Sequence, residues 1–268
     1  MPWSTGLRIM LTASLYFTTV TKDYSKSLAG AAAEAVAARE TKYFLQHIGK
    51  VKTVDDLIKN NKLYSYVMKA FGLSDMMHAK GLIRKVLEGG VASPKSLANT
   101  LHDPRYKALA ATFDFAARGA DTTSSPSLQQ ITVNNYNEQS LEARAGRDNQ
   151  GAQLALYFRR MAPKVTSAYG ILGDKSLLKV VQIALGLPPS MSLLNIDIQA
   201  KMITGQLKIA DVHDPGKLQK FIQRFTAVYD SQNTAAAPAS PASALLVSPR
   251  GISSDLLVSL ANLKLGGF

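Results

Sequence analysis

The chain has 268 residues, 46% of them apolar, with one tryptophan and no cysteine. That composition fits one large or two small globular domains and excludes a mostly disordered chain or a multi-span membrane protein. The absence of cysteine excludes a disulfide framework, a thiolate metal site and a cysteine nucleophile, and the net charge of +12 raises the question of an acidic partner.

Helix signals dominate along the chain. Residues 9–20, IMLTASLYFTTV, resemble a weak signal-peptide core, but Thr and Ser interrupt them and Lys22-Asp23 stands where small cleavage-site residues belong, so no cleaved signal is expected. The run is also too short to span a bilayer. Asp23 is placed to cap a helix over about Tyr24–His47, with Leu28, Ala32, Val36, Phe44 and Ile48 as its buried stripe. Thr53 and Asp56 have capping-box spacing. Leu63, Val67 and Phe71 share a face of the next helix, and Gly72 suits its left-handed C-terminal position. A helix capped by Ser74 is predicted through Glu88, stopped by Gly89-Gly90. Ser93-Pro94 and Asp103-Pro104 each pair a capping side chain with a first-turn proline. Residues 116–127 read as a loop. One long polar helix is predicted from about Leu128 into Met161, ended by Pro163, and residues 231–250 read as an Ala-, Pro- and Ser-rich flexible linker.

The most informative feature is self-similarity. Residues 43–73 align without a gap on residues 157–187 at an offset of 114, and nine of the 31 positions are identical, where chance gives roughly two. The identities include Tyr43/Tyr157, Leu63/Leu177, Val67/Val181 and Gly72/Gly186. Beyond a gap, Ala79-Lys80 matches Ala200-Lys201 and His102-Asp103-Pro104 matches His213-Asp214-Pro215. These are core residues, helix stops and caps, so the duplication preserves architecture and not a catalytic group. The expected fold is all-α: an N-terminal segment and first helix (1–41), repeat unit one (42–116), a loop and long connecting helix (117–152), repeat unit two (153–231), the linker (232–250) and a short amphipathic tail (251–268).

Candidate chemistry is sparse. His102 and His213 both precede an Asp-Pro helix start, and packing beside the cap is favoured over a metal or acid–base role, because no H-E-x-x-H spacing exists and no cysteine is there to complete a zinc set. Residues 170–176, GILGDKS, are too short for a phosphate loop, and Asp174 would repel phosphate; Asp174 reads as a helix cap. The methionines Met76, Met77, Met161, Met191 and Met202 read as core fillers. No nucleophile elbow or dinucleotide fingerprint is present, so no enzyme, cofactor, metal or small-molecule substrate is expected. The positive charge is spread, with net +7 over residues 1–116 and +5 over 153–231, and no run of five like charges. Solvated helix faces give this pattern more readily than a nucleic-acid footprint does.

The run ARETKYFLQHIGKVKTVDDLIKNNKLYSYVMKAFGLSDMMHAKGLIRKVLEGGV resembles the first half of bacterial domain-of-unknown-function family 1217. LALYFRRMAPKVTSAYGILGDKSLLKVVQIALGLP and DIQAKMITGQLKIADVHDPGKLQKFIQRFTAVYD resemble its second half. The likeness spans roughly residues 17–231, and the opening up to about Leu15 departs from it. The family has no established activity, so no site residue is carried over. The resemblance implies an alphaproteobacterial chain encoded among flagellar genes. The expected function is therefore a non-enzymatic structural or assembly protein of the flagellum or basal body, contacting rod, basal-body or export components. The alternative is a cytosolic helical adaptor or nucleic-acid-binding regulator of flagellar genes acting through its basic surface. In the tail, Leu256, Leu260 and Leu263 share one helical face and are the candidate partner-binding residues.

Overall fold

A computed structural model describes residues 11–233, and among these every regular element is a helix. In chain order the α-helices are α1 (Ala13–Lys22), α2 (Tyr24–Ala32), α3 (Ala35–His47), α4 (Val54–Lys59), α5 (Asn61–Ala70), α6 (Lys80–Gly89), α7 (Leu97–Thr100) and α8 (Pro104–Thr112). They continue with α9 (Phe115–Arg118), α10 (Pro126–Asp148), α11 (Gln150–Met161), α12 (Ala168–Leu172), α13 (Lys175–Leu185), α14 (Ile196–Thr204) and α15 (Pro215–Asn233), with six short 3-10 turns between helices. The all-α class read from the sequence is the class observed.

The sequence repeat recurs in the backbone. The 3-10 turn Ile48–Lys50 stands 114 residues before the turn Ala162–Lys164, α4 starts 114 before α12, and α5 starts 114 before α13. Gly72 and Gly186 close α5 and α13 at φ 71° and 67°, a left-handed conformation that only glycine takes without strain. Two hydrophobic cores accompany the two stretches. One gathers residues 37–136, including Phe44, Leu57, Leu63, Tyr66, Val67 and Phe113. The other gathers residues 16–31 and 141–225, including Phe17, Phe158, Leu177, Val181, Ile203 and Phe225. Both lie within one compact unit that ends at Asp230. The first two helices therefore belong to the later core: Phe17 on α1 is buried there, and Asp230 on α15 accepts hydrogen bonds from Ala13 N at 2.7 Å and Ser14 N at 3.0 Å. A Cβ on Gly151 would come within 2.8 Å of Ala13, so α11 needs glycine where α1 crosses it.

Helix α10 serves both cores. Leu128 and Tyr136 face the first, Leu141 and Ala145 the second. The stacked rings of Phe44, Tyr66 and Tyr136, with centroids 4.5 and 4.1 Å apart, fix α10 to α3 and α5. On the second side, Glu142 accepts a bidentate pair from Arg160 on α11 at 2.6 and 3.1 Å, and both side chains are buried.

Several boundaries differ from the sequence reading, each for a local reason. Asp23 does cap α2, accepting from Lys26 N, but the predicted Tyr24–His47 helix breaks at Ala33-Glu34. Glu34 there turns to pair with Arg147 of α10 at 2.9 Å, and the break sends α2 to one core and α3 to the other, leaving Val36 55% exposed. The Leu128–Met161 helix is two helices, because Asn149 leaves helical geometry and caps α11 by accepting from Ala152 N. Ser74 opens only a 3-10 turn, and the helix ended by Gly90 starts at Lys80. Ser93-Pro94 forms a turn, and α7 starts after Ser96. The 116–127 segment is not irregular: it holds the end of α9, the 3-10 turn Gly119–Ser124 and the first residues of α10. The capping box at Thr53–Asp56, the caps at Asp103 and Asp174, and the buried face of Leu63, Val67 and Phe71 are as the spacing predicts. Helix α15 runs to Asn233, past the expected linker start; the rest of the linker and the tail, with Leu256, Leu260 and Leu263, lie outside the described residues.

Candidate protein-interaction surface

Over residues 43–73 and 157–187 the two stretches share their element order, and beyond them the offset changes. Leu73 and Leu187 stand 114 apart, but Ala79 and Ala200 stand 121 apart, so the second repeat has gained seven residues between α13 and α14. This added stretch forms the 3-10 turn Pro189–Leu193 and the first turn of α14. It presents Leu193, Leu194, Ile196 and Ile198 at 88, 44, 49 and 48% exposure. The turn is held rigidly. Met191 anchors it in the core, Asn195 accepts from Asp197 N at 2.8 Å, Gln199 donates to Leu194 O, and Tyr169 donates to Asp197 at 2.7 Å. Exposed aliphatic side chains at the end of this turn and the start of α14 gain by burial against a partner, at about 25 cal/mol per Å² covered. No periodicity argument singled them out; the signal available in the sequence was the step in the repeat offset.

The seam between the two repeats is polar. The His102–Arg105 corner at the start of α8 seats against the α12–α13 turn. Asp103 caps α8 by accepting from Arg105 N at 2.9 Å, and its carboxylate also takes the Arg105 guanidinium at 2.8 Å. The same guanidinium reaches Asp75 at 3.4 Å, Asp174 at 3.8 Å and the carbonyl of Gly72 at 2.5 Å. Burial works against the charge of Arg105, but the adjoining carboxylates outweigh it and hold the group above its ordinary value. Asp174 caps α13, accepting from Ser176 N and Leu177 N, and also accepts from Tyr157 Oη. Burial and that carboxylate push the Tyr157 phenol up, so it stays a donor. The corner approaches so closely that a Cβ on Gly173 would lie 3.1 Å from Asp103 N. A groove of about 520 Å³ runs along this seam, lined by Gly72, Asp75, Arg105, Gln139 and Tyr157 among others.

The two sequence-matched histidines part company here. The His102 ring lies 5.4 Å from the Tyr169 ring at the seam, whereas His213 stands exposed at the start of α15, and the structure does not bring them together. Among the described residues no group of three or more His, Asp or Glu side chains is placed to hold a metal ion. No described helix is long and apolar enough to cross a membrane.

No curated protein matches the chain. Its fold is similar to the crystal structure of an Agrobacterium tumefaciens protein, at 38% identity and a TM-score of 0.75, over 87% of this chain and 99% of that one. Residues 70–218, from the end of α5 to α15, match the family described as protein of unknown function, DUF1217. A match over more than half the chain, together with the likeness to that structure, places the chain in the DUF1217 family.

Proposed function

We propose that this protein is a non-enzymatic assembly or structural protein that works by protein–protein contact. The observation that supports the reading is the set of exposed aliphatic side chains Leu193, Leu194, Ile196 and Ile198, in a stretch seven residues longer than its counterpart in the first repeat. The family resemblance points to the bacterial flagellum or basal body as the location, with rod, basal-body or export components as partners. The alternative, a cytosolic regulator binding nucleic acid, finds less support. Arg84, Arg105, Arg147 and Arg160 are paired with Asp55, Asp103, Glu34 and Glu142, which leaves fewer guanidinium groups for phosphate.

The test is fractionation of flagellated cells carrying the full-length chain, wild type or Leu193→Asp/Ile198→Asp. Both side chains are exposed, so each substitution changes stability by no more than about 0.5 kcal/mol and the variant stays folded. The expected result is wild type recovered with basal bodies and the variant lost from them. Equal recovery of both with basal bodies removes the aliphatic turn from the account, and recovery of wild type only in the cytoplasm with nucleic acid supports the alternative.

A further inference from the structure

The repeat also exposes a second, different surface. In the second repeat, Gln153, Tyr157, Lys175 and Ser176 line the groove against which the His102–Arg105 corner seats. The residues 114 positions earlier are Arg39, Tyr43, Asn61 and Lys62, and they too line a groove, of about 510 Å³, with Glu40 and Ser65. The matching corner, His213-Asp214-Pro215-Gly216-Lys217, is exposed throughout. The contact between corner and groove is thus made once and in one direction. A twofold relation between the repeats would seat both corners; a one-way contact is heterologous and leaves one corner and one groove unused.

The two unused surfaces offer one opposite-charge pairing, the Asp214 carboxylate against the Arg39 and Lys62 side chains, with the sense of the internal contact reversed; Glu40 in the groove is taken up by Lys69, and Lys217 and Lys220 stand beside Asp214 on the corner. Inside the chain the corner contributes Arg105 and the groove contributes Asp174. On the unused corner Gly216 replaces Arg105. Lys217 is taken up by Asp211 at 2.7 Å, and the Asp214 carboxylate makes no ion pair among the described residues. At the unused groove neutral Asn60 replaces Asp174. Arg39, Lys59 and Lys62 surround it, all exposed and none in an ion pair among the described residues, with Lys62 Nζ lying 5.1 Å from the centre of the Tyr43 ring. Gly173, the glycine that admits the corner closely inside the chain, corresponds to Lys59. The outer contact therefore rests on side-chain ion pairs without close backbone approach, which makes it weaker than the internal one and salt-sensitive.

We propose that the chain associates head to tail with a second copy of itself, the Asp214 corner of one copy seating in the Arg39–Tyr43–Lys62 groove of the next. This contact uses residues separate from the aliphatic turn and stands whether or not that turn binds a flagellar partner. Sedimentation velocity on the full chain at low salt tests it. The expected result is concentration-dependent growth beyond the dimer that about 0.5 M salt reverses. Arg39→Glu/Lys62→Glu changes exposed residues that cap no helix and keeps the wild-type melting point, Asp214→Lys also loses the α15 cap and stays folded with a melting point a few degrees lower, and each alone weakens self-association by about tenfold or more through like-charge contact. An equimolar mixture of the two variants restores association, because the native corner of one meets the native groove of the other and the charge-reversed corner meets the charge-reversed groove. A chain that stays monomeric at every concentration, an association that neither variant changes, or a mixture that restores no association overturns the proposal.

Discussion

The two Asp-Pro helix starts give the sharpest test of how far equivalence in sequence extends to energetics. Asp103 and Asp214 occupy matched positions, and each accepts a hydrogen bond from a first-turn backbone N–H, Arg105 N at 2.9 Å and Lys217 N at 2.9 Å. From the sequence alone, Asp103→Ala and Asp214→Ala should each cost about 1 kcal/mol, the worth of an N-cap. The structure makes them unequal. Asp214 is exposed and its replacement removes the cap alone, about 1 kcal/mol. Asp103 is 7% exposed and also neutralises a guanidinium whose side chain is 12% exposed. Breaking a buried pair costs about 3–5 kcal/mol, and Arg105 keeps Gly72 O and Asp174, which places this case at the lower end. With the lost cap, Asp103→Ala is expected to cost about 4 kcal/mol. For a domain of this size that is a fall in Tm of roughly 10 °C, against about 2–4 °C for Asp214→Ala. Urea denaturation followed by circular dichroism measures both. Equal losses for the two variants would refute the claim that the seam ion pair, and not the cap, dominates at Asp103.

Two further outcomes are expected. Gly173→Ala drives a Cβ to 3.1 Å from Asp103 N and 3.2 Å from His102 C, so it should destabilise by about 1–3 kcal/mol. Gly49→Ala, whose Cβ meets nothing within 4 Å, should leave the thermal melt unchanged, and a Gly173→Ala melt as mild as that control would remove the close approach from the account. Burial raises the Glu40 carboxyl, but hydrogen bonds from Tyr136 at 2.6 Å and Lys69 at 3.0 Å outweigh it and hold the group below its ordinary 4.5. Because the folded value lies below the unfolded one, this stabilisation is present above about pH 4.5 and is lost as the pH falls through the folded value. The gap in Tm between wild type and Glu40→Gln should therefore be widest near neutral pH and close toward about pH 3; a gap independent of pH would contradict the role given to the carboxylate.

The sequence by itself determined the helical class, the recurring element order of 43–73 and 157–187, and most of the local punctuation. The capping box at Thr53–Asp56, the caps at Asp103 and Asp174 and the left-handed glycines Gly72 and Gly186 are legible because each acts within a few residues of itself. Only the tertiary structure decided the rest. The break at Glu34 depends on Arg147, more than a hundred residues away, and the placement of α1 and α2 in the later core depends on Asp230 and Phe225. The seated corner lies against Gly173 of the facing turn, a close approach that no helical period records. Leu193, Leu194, Ile196 and Ile198 look like core residues by composition; only the packing shows that they are exposed, because the turn Pro189–Leu193 buries Met191 and the first turn of α14 buries none of its residues.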